Sequence, residues 1–313
     1  MYCKPTGVSR RTLLAGAATL PVAVTATAAR AECHDDMSAV PVTRKFRLGA
    51  FNLTTLLDAS FPRDEAKGIF GGNVSDEEFA RVSEENFIPA DKAQFYFTPT
   101  LVDTGAQKIL FDTGLGKGGI GTALARAGHS AADIDLVVIT HMHPDHIGGL
   151  MSDGAPVFPN ATYMTAAREY DFWSRMAPGN RVGDLVAKNV TPLAERMTFL
   201  DDGATVAPGI TAMAAFGHTP GHMAFHLESG NERLVLTADP ANHYVWSFAH
   251  PDWEVKFDMD KAAATASRRK VLGMLAAERV PMIGYHMPFP AAGFVETRGD
   301  GFRFVPVSYQ LMG

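Results

Sequence analysis

Short runs rich in β-branched and aromatic residues recur along the chain from Phe46 onward, at 46–57, 95–103, 108–112, 136–140, 210–216, 223–228 and 234–237. Several are closed by Gly or Asp, and each has the length and composition of a strand. Apolar residues at helical spacing predict helices between them, over 76–85, 119–127, 165–175 and 260–279. In the last of these Val271, Met274 and Leu275 share one face, Asp258 or Asp260 can cap the start, and Pro281 stops it. Hairpin-like strands come first and strands mixed with helices follow, without a sequence repeat or a linker. The pattern predicts one mixed α/β layered domain over residues 40–313 rather than a parallel barrel.

The N-terminal stretch follows a different pattern. Lys4, Arg10 and Arg11 precede an apolar, Ala- and Thr-rich run from Leu13 to Ala29, with small-residue cleavage candidates around Ala28 and Ala31. This reads as a signal peptide over residues 1–31, and Ser9-Arg10-Arg11-Thr12-Leu13-Leu14 carries the paired arginines of a twin-arginine export signal. A periplasmic or secreted protein is expected, without stable membrane insertion after cleavage. Only Cys3 and Cys33 occur, so cleavage leaves no pair for an internal disulfide. At 313 residues, 46% hydrophobic and 20% charged, the chain has ordinary globular composition. A net charge of -6 supplies no basic footprint for nucleic acid.

The strongest chemical signal follows the apolar run Leu136-Val137-Val138-Ile139-Thr140, which reads as a strand buried on both faces. It leads directly into His141-Met142-His143-Pro144-Asp145-His146. In extended chain His141 and His143 point to one side, and Pro144 suits the first turn of a helix that brings Asp145 and His146 back toward them. Four imidazole and carboxylate groups thus converge at a strand end, a donor set that suits zinc and neighbouring first-row ions. Asp112, after Ile109-Leu110-Phe111, would either accept the free ring N–H of a ligating histidine or cap a turn. His218 would be an outer partner of the site or a satisfied polar residue, and His129, His226, His243 and His250 lack metal-like spacing.

Together with Asp112-Thr113-Gly114 upstream and Gly217-His218-Thr219-Pro220-Gly221-His222 downstream, the His141–His146 motif resembles the metallo-β-lactamase superfamily. The resemblance covers essentially the whole mature chain and implies an αβ/βα four-layer sandwich with a dinuclear site on one edge. It implies two divalent ions, zinc first among the candidates. One would be held by His141, His143, His222 and Asp239, the other by Asp145, His146, His286 and the same Asp239. Two ions so placed would make a hydroxide available at neutral pH, with no serine or cysteine nucleophile needed, and Asp145 would have a secondary role in proton transfer.

The C-terminal third narrows the resemblance. Asp239-Pro240-Ala241-Asn242-His243, Pro251-Asp252-Trp253, Phe257-Asp258-Met259-Asp260, Arg268-Arg269 and Tyr285-His286-Met287-Pro288-Phe289-Pro290 look like exported methyl parathion hydrolase-type enzymes and related lactonases. The implied substrates are small uncharged lactones, aryl esters and phosphotriesters, and Phe172, Trp173, Trp246, Phe248 and Phe289 are candidates for an apolar pocket wall. Three alternatives remain: a glyoxalase II-like thioester hydrolase, a β-lactam hydrolase, and a periplasmic metal-binding protein without turnover. The residues 293–306 read as a hairpin, which disfavours the first. Nothing in the sequence fixes the oligomeric state, and a homodimer is left open.

Overall fold

The chain from 42 to 311 is described by a computed structural model, and the signal-peptide reading of residues 1–31 lies outside the described residues. Two seven-stranded sheets carry the architecture. The first runs, edge to edge, through Thr43–Leu48, Phe51–Leu56, Thr100–Asp103, Lys108–Phe111, Leu136–Val138, Thr162–Ala166 and Met197–Leu200. Its first four strands are antiparallel, and from Lys108–Phe111 onward the pairing is parallel. The second comprises Thr205–Ala207, Ile210–Ala214, Met223–Ser229, Glu232–Ala238, Met282–Gly284, Ala292–Arg298 and Gly301–Pro306, in chain order across the sheet. Glu232–Ala238 and Met282–Gly284 are its parallel pair.

Apolar alternation places one core between the sheets, where Leu53, Val102, Phe111 and Val138 meet Phe225, Leu227, Val235 and Ile283. A second core covers the outer face of the first sheet, where the helices Gly119–Ala127, Ala167–Ser174 and Arg181–Asn189 pack on Leu56, Leu101, Leu110 and Val137. The long helix Lys261–Glu278 covers the second sheet with Val271, Leu272 and Leu275. The result is the expected αβ/βα four-layer sandwich, with both faces of the central strands buried, as their continuous apolar runs require. Among the described residues, no helix is long and apolar enough to cross a membrane.

A third cluster lies beside the sandwich. The ribbon Ala59–Asp64/Lys92–Phe97 and the helices Ala66–Phe70 and Asp76–Glu85 pack Phe70, Phe79, Phe95 and Phe97 around Trp246, Trp253 and Tyr285. Two of the expected strands divide in the structure. The 46–57 run is a hairpin that turns at Gly49-Ala50, with Gly49 at φ 54°, and the 95–103 run divides at 98–99 between the ribbon and the first sheet. Two helices keep their expected limits because their ends are well marked. The Ser75 side chain accepts from the Glu78 N–H at the start of Asp76–Glu85, and left-handed Gly128 ends Gly119–Ala127.

Trp246 sits at the centre of the third cluster, fully buried, stacked on Phe79 with ring centroids 4.7 Å apart and donating Nε1–H to Ser83 Oγ at 3.0 Å. Trp246→Ala is expected to destabilise the fold by ~3–5 kcal/mol, read from the denaturant midpoint. A change below ~1 kcal/mol would show that Trp246 is not a packing residue of this core.

Candidate metal centre

The strand Leu136–Val138 delivers the chain into the histidine motif at the edge of the sandwich, and the local geometry follows the sequence. His143 caps a short helix, Pro144–Ile147, with Pro144 in its first turn, and the His146 N–H returns to the His143 carbonyl at 3.0 Å. Asp239 arrives from the opposite sheet at the end of Glu232–Ala238, directly after Ala238, which is held at φ 54°. Asp112, at the end of Lys108–Phe111, has φ 62°. Left-handed backbone at a non-glycine residue is strained, and here it turns both chains sharply into the site.

Asp239 Oδ2 is the hub. It lies 3.0 Å from His286 Nε2, 3.5 Å from His146 Nε2, 3.5 Å from His218 Nε2 and 3.9 Å from His141 Nε2. Asp145 Oδ2 lies 3.4 Å from His286 Nε2 and 3.5 Å from His146 Nε2. Among the described residues, three overlapping sets of donor atoms are close enough to hold an ion: His141, His143 and His218; His141, His146 and Asp239; and Asp145, His146 and His286.

The outer ring nitrogens are tied to acceptors, which turns the inner ones toward the centre. His146 donates Nδ1–H to Asp112 Oδ2 at 2.8 Å, His286 to the Tyr96 carbonyl at 2.7 Å and His218 to Asp258 Oδ1 at 2.8 Å. Asp112 also accepts from the Thr140 N–H and hydroxyl, so it orients His146, the first of the two roles expected for it. Asp258 is held in turn by Arg268, fully buried, whose guanidinium donates to Asp258 Oδ2 and to the Pro240 carbonyl, each at 2.6 Å.

Of the seven expected ligands, six fall into these sets and His222 does not. Its Nε2 accepts the Asp239 backbone N–H at 2.9 Å, and its ring lies 4.9 Å from that of His141. His218 lies beside His141 and His143, with its Nε2 2.9 Å from His143 Nδ1. Two histidines four apart in Gly217–His222 can both reach the site, and their spacing does not say which one turns inward. Tyr285 and Glu169 were not singled out from sequence. Tyr285 lies tilted against His146, ring centroids 4.0 Å apart, and donates to the Asp145 carbonyl at 2.6 Å, while Glu169 bonds the backbone of Met142.

The residues fit a divalent ion. His146 Nε2 and Asp239 Oδ1 are buried without a hydrogen-bond partner, a costly state for polar atoms that coordination would relieve. Burial pushes His141 well below the ordinary histidine range and His143 and His222 to about 3, so all three are neutral donors. Burial opposes charge on His146 too, but Asp112, Asp239 and Asp145 outweigh it and push its pKa well above the ordinary value. His286 is likewise raised by Asp239 and Asp145 against the effect of burial. The burial of Asp239 and Asp145 is more than offset by His146 and His286, which hold both carboxyls well below the usual range.

A cavity of about 310 Å³ opens onto the cluster, with His143, Asp145, His218, Asp239 and His286 at its floor. Its apolar wall is Phe95, Phe97, Leu115, Pro144, Val182 and Phe257, and Arg63 and Arg181 complete the lining. The expected wall residues Phe172, Trp173, Trp246, Phe248 and Phe289 are not part of it. Trp173, Trp246 and Phe248 are core, Phe172 packs against the second core, and Phe289 is half-buried away from the cavity. Large aromatics bury as favourably in a core as in a pocket, so their position near ligand motifs could not separate the two.

The model of the family described as the metallo-beta-lactamase superfamily matches residues 98–282. The chain is 25% identical over 153 residues to an N-acyl homoserine lactonase of Bacillus cereus, a match covering 49% of this chain and 56% of that protein. It is 31% identical over 143 residues to an atrochrysone carboxyl ACP thioesterase of Aspergillus fumigatus, covering 44% of this chain and 28% of that one. The chain thus spans about half the length, or less, of these two curated relatives. Among solved structures it superposes on AidC, described as a dizinc quorum-quenching lactonase in complex with a product, at TM-score 0.80 and 30% identity, covering 86% of this chain and 98% of that one. The hydrolase AbOPH shares the fold at TM-score 0.79 and 22% identity, covering 87% of this chain and 99% of that one.

Because His146 and His286, whose pKa values are raised by the neighbouring carboxylates, hold protons against an incoming cation, metal uptake is expected to release protons and to weaken as pH falls through those raised values. Calorimetric titration of metal-free protein with zinc in buffers of different ionisation enthalpy reads the proton count directly. A heat independent of buffer, with affinity independent of pH, would contradict this protonation pattern. Arg268→Ala, which leaves Asp258 as an unpaired buried charge, is expected to cost ~3–5 kcal/mol in denaturant unfolding, and a cost below ~1 kcal/mol would refute that account of the pair.

Proposed function

Since the chain belongs to the metallo-beta-lactamase superfamily, we propose that it is a metal-dependent hydrolase of small lactones, aryl esters or phosphotriesters, with lactones first among them. The observation that carries this reading is the position of Asp239 Oδ2 among the Nε2 atoms of His141, His146, His218 and His286 at the floor of an apolar-walled cavity. The likeness to a dizinc lactonase over nearly the whole of that chain favours two zinc ions and a lactone over a thioester. In this proposal Asp239 is shared between the ions, His141 and His143 serve one, and Asp145, His146 and His286 serve the other. The remaining place at the first ion falls to His218 or His222.

When bound, such ions supply a hydroxide at neutral pH and polarise the oxygen of the bond under attack. The chain's own residues do the rest. Phe95, Phe97, Leu115, Val182 and Phe257 hold the apolar part of the substrate and exclude water, which strengthens every electrostatic contact at the floor. Arg63 and Arg181 present cationic groups suited to the carboxylate that lactone or ester hydrolysis produces. Asp145 stays charged because its carboxyl is held so low, which suits it to ligation better than to proton transfer. Export through the twin-arginine signal read at Ser9–Leu14 is part of the same proposal, placing the enzyme in the periplasm or outside the cell.

Metal content by elemental analysis, run beside turnover of an N-acyl homoserine lactone, an aryl acetate, a phosphotriester and an acyl thioester, tests the reading. Two ions per chain, loss of turnover on chelation and recovery with zinc are expected, with the lactone fastest. Asp239→Ala should lose bound metal and reduce turnover by more than the roughly 10–100-fold typical of outer-shell changes. Turnover indifferent to chelation, or an Asp239→Ala chain that keeps both ions and its activity, would overturn the proposal.

A further inference from the structure

One buried carboxylate next to the centre touches none of the proposed ligand side chains, yet it bonds the backbone of both histidine loops. Glu169, third residue of the helix Ala167–Ser174, is fully buried and accepts four hydrogen bonds. Oε1 takes the Met142 N–H at 2.9 Å and the Trp173 Nε1–H at 2.8 Å. Oε2 takes the Gly221 N–H at 2.7 Å and the Thr219 hydroxyl at 2.9 Å. Met142 lies between His141 and His143, while Thr219 and Gly221 lie between His218 and His222. One side chain therefore joins the two segments that carry four histidines of the site. Among the described residues no cation bonds it, and its charge is met there by directed donors, a demanding arrangement in a buried place.

The backbone is fitted to this contact. A Cβ at Gly221 would stand 2.3 Å from the Glu169 nitrogen and 2.7 Å from its Cβ, so the His218–His222 loop lies directly against the start of the helix. Glutamine has nearly the same shape but carries donors on one terminal atom. Whichever way it turned, its NH2 would face either the Met142 or the Gly221 N–H and leave that amide buried and unpaired.

We propose that Glu169 is a positioning residue that fixes the spacing between the His141–His143 loop and the His218–His222 loop, and thereby sets the geometry and affinity with which the histidine side of the centre takes its ion. This rests on the metal-dependent reading above. The helix presents the carboxylate, the carboxylate fixes both loops by their backbones, and the imidazoles inherit their separation. A role confined to core stability would make any lost donor equivalent. A positioning role singles out the donors that belong to the loops.

The test strips wild type, Glu169→Gln, Trp173→Phe and Thr219→Val of metal and titrates each with cobalt(II), reading affinity by chelator competition and geometry from the visible absorption of the bound ion. Glu169→Gln is expected to bind cobalt about 10–100-fold more weakly, with a shifted spectrum. Trp173→Phe, which removes the one donor outside both loops, is expected to stay near wild type. Thr219→Val, which removes one loop donor and leaves the carboxylate, should fall between them and carries the test if Glu169→Gln does not fold. Wild-type affinity and spectrum in Glu169→Gln, or losses in Trp173→Phe as large as those in the loop variants, would overturn the positioning role while leaving the metal centre standing. A wild-type chain that takes up no cobalt would remove both.

Discussion

Several ionisable side chains share a largely buried space of a few ångströms, and the structure around them is the means of tolerating it. One oxygen of Asp239 stands within 3.9 Å of four imidazole nitrogens, and Asp145 meets two of the same rings. Burying such groups costs several kcal/mol each unless every one is paired or coordinated. The two sheets meet this demand by ending buried apolar strands at the same edge, one delivering His141 and the other Asp239, so that rigid backbone rather than mobile loop fixes the separation.

The second requirement is direction. An imidazole can ligate through only one nitrogen at a time, and three separate acceptors fix the choice here: Asp112 for His146, the Tyr96 carbonyl for His286 and Asp258 for His218. They come from the first sheet, the aromatic ribbon and the segment before the long helix, so all three layers of packing converge on ring orientation. Tyr96 belongs to a strand whose neighbours Phe95 and Phe97 also wall the cavity, which couples the shape of the pocket to the orientation of His286. Packing and chemistry are therefore not separable at this edge.

How much of this the sequence disclosed depended on distance along the chain. His141 to His146 are contiguous, and strand, proline and helix turn act within six residues, so their convergence was legible, as were the helices with marked caps. The strand Thr162–Ala166 was read partly as helix because its pairing with Leu136–Val138 is remote, and the helix Arg181–Asn189 was missed altogether. Glu169 and Tyr285 share this difficulty, since each acts through backbone atoms far away in sequence; Glu169 lies in no motif, and Tyr285 stands in one only as the neighbour of His286. The aromatic wall failed for a different reason. Trp173 and Trp246 satisfy both their apolar surface and their indole N–H inside the core, so hydrophobicity alone could not distinguish them from Phe95, Phe97 and Phe257.

The pairing of Asp258 with Arg268 shows why the extra histidine need not be a redundancy. A neutral acceptor on His218 Nδ1 would orient the ring equally well, whereas a carboxylate adds a negative charge that favours a cation at the other ring nitrogen. Arg268 balances that charge from the far side and is itself closed off by carbonyls of Pro240 and Pro251, so the chain of charges ends in protein and not in solvent. Pro240 directly follows Asp239, which brings the guanidinium back to the Asp239 carboxylate by way of the backbone. The long helix that covers the second sheet thus does two things with one residue: it anchors the outer layer to the Asp239 loop, and it completes the electrostatics behind His218. This double role explains how a fully buried arginine, among the most expensive residues to desolvate, is accommodated beside a site that itself favours cations.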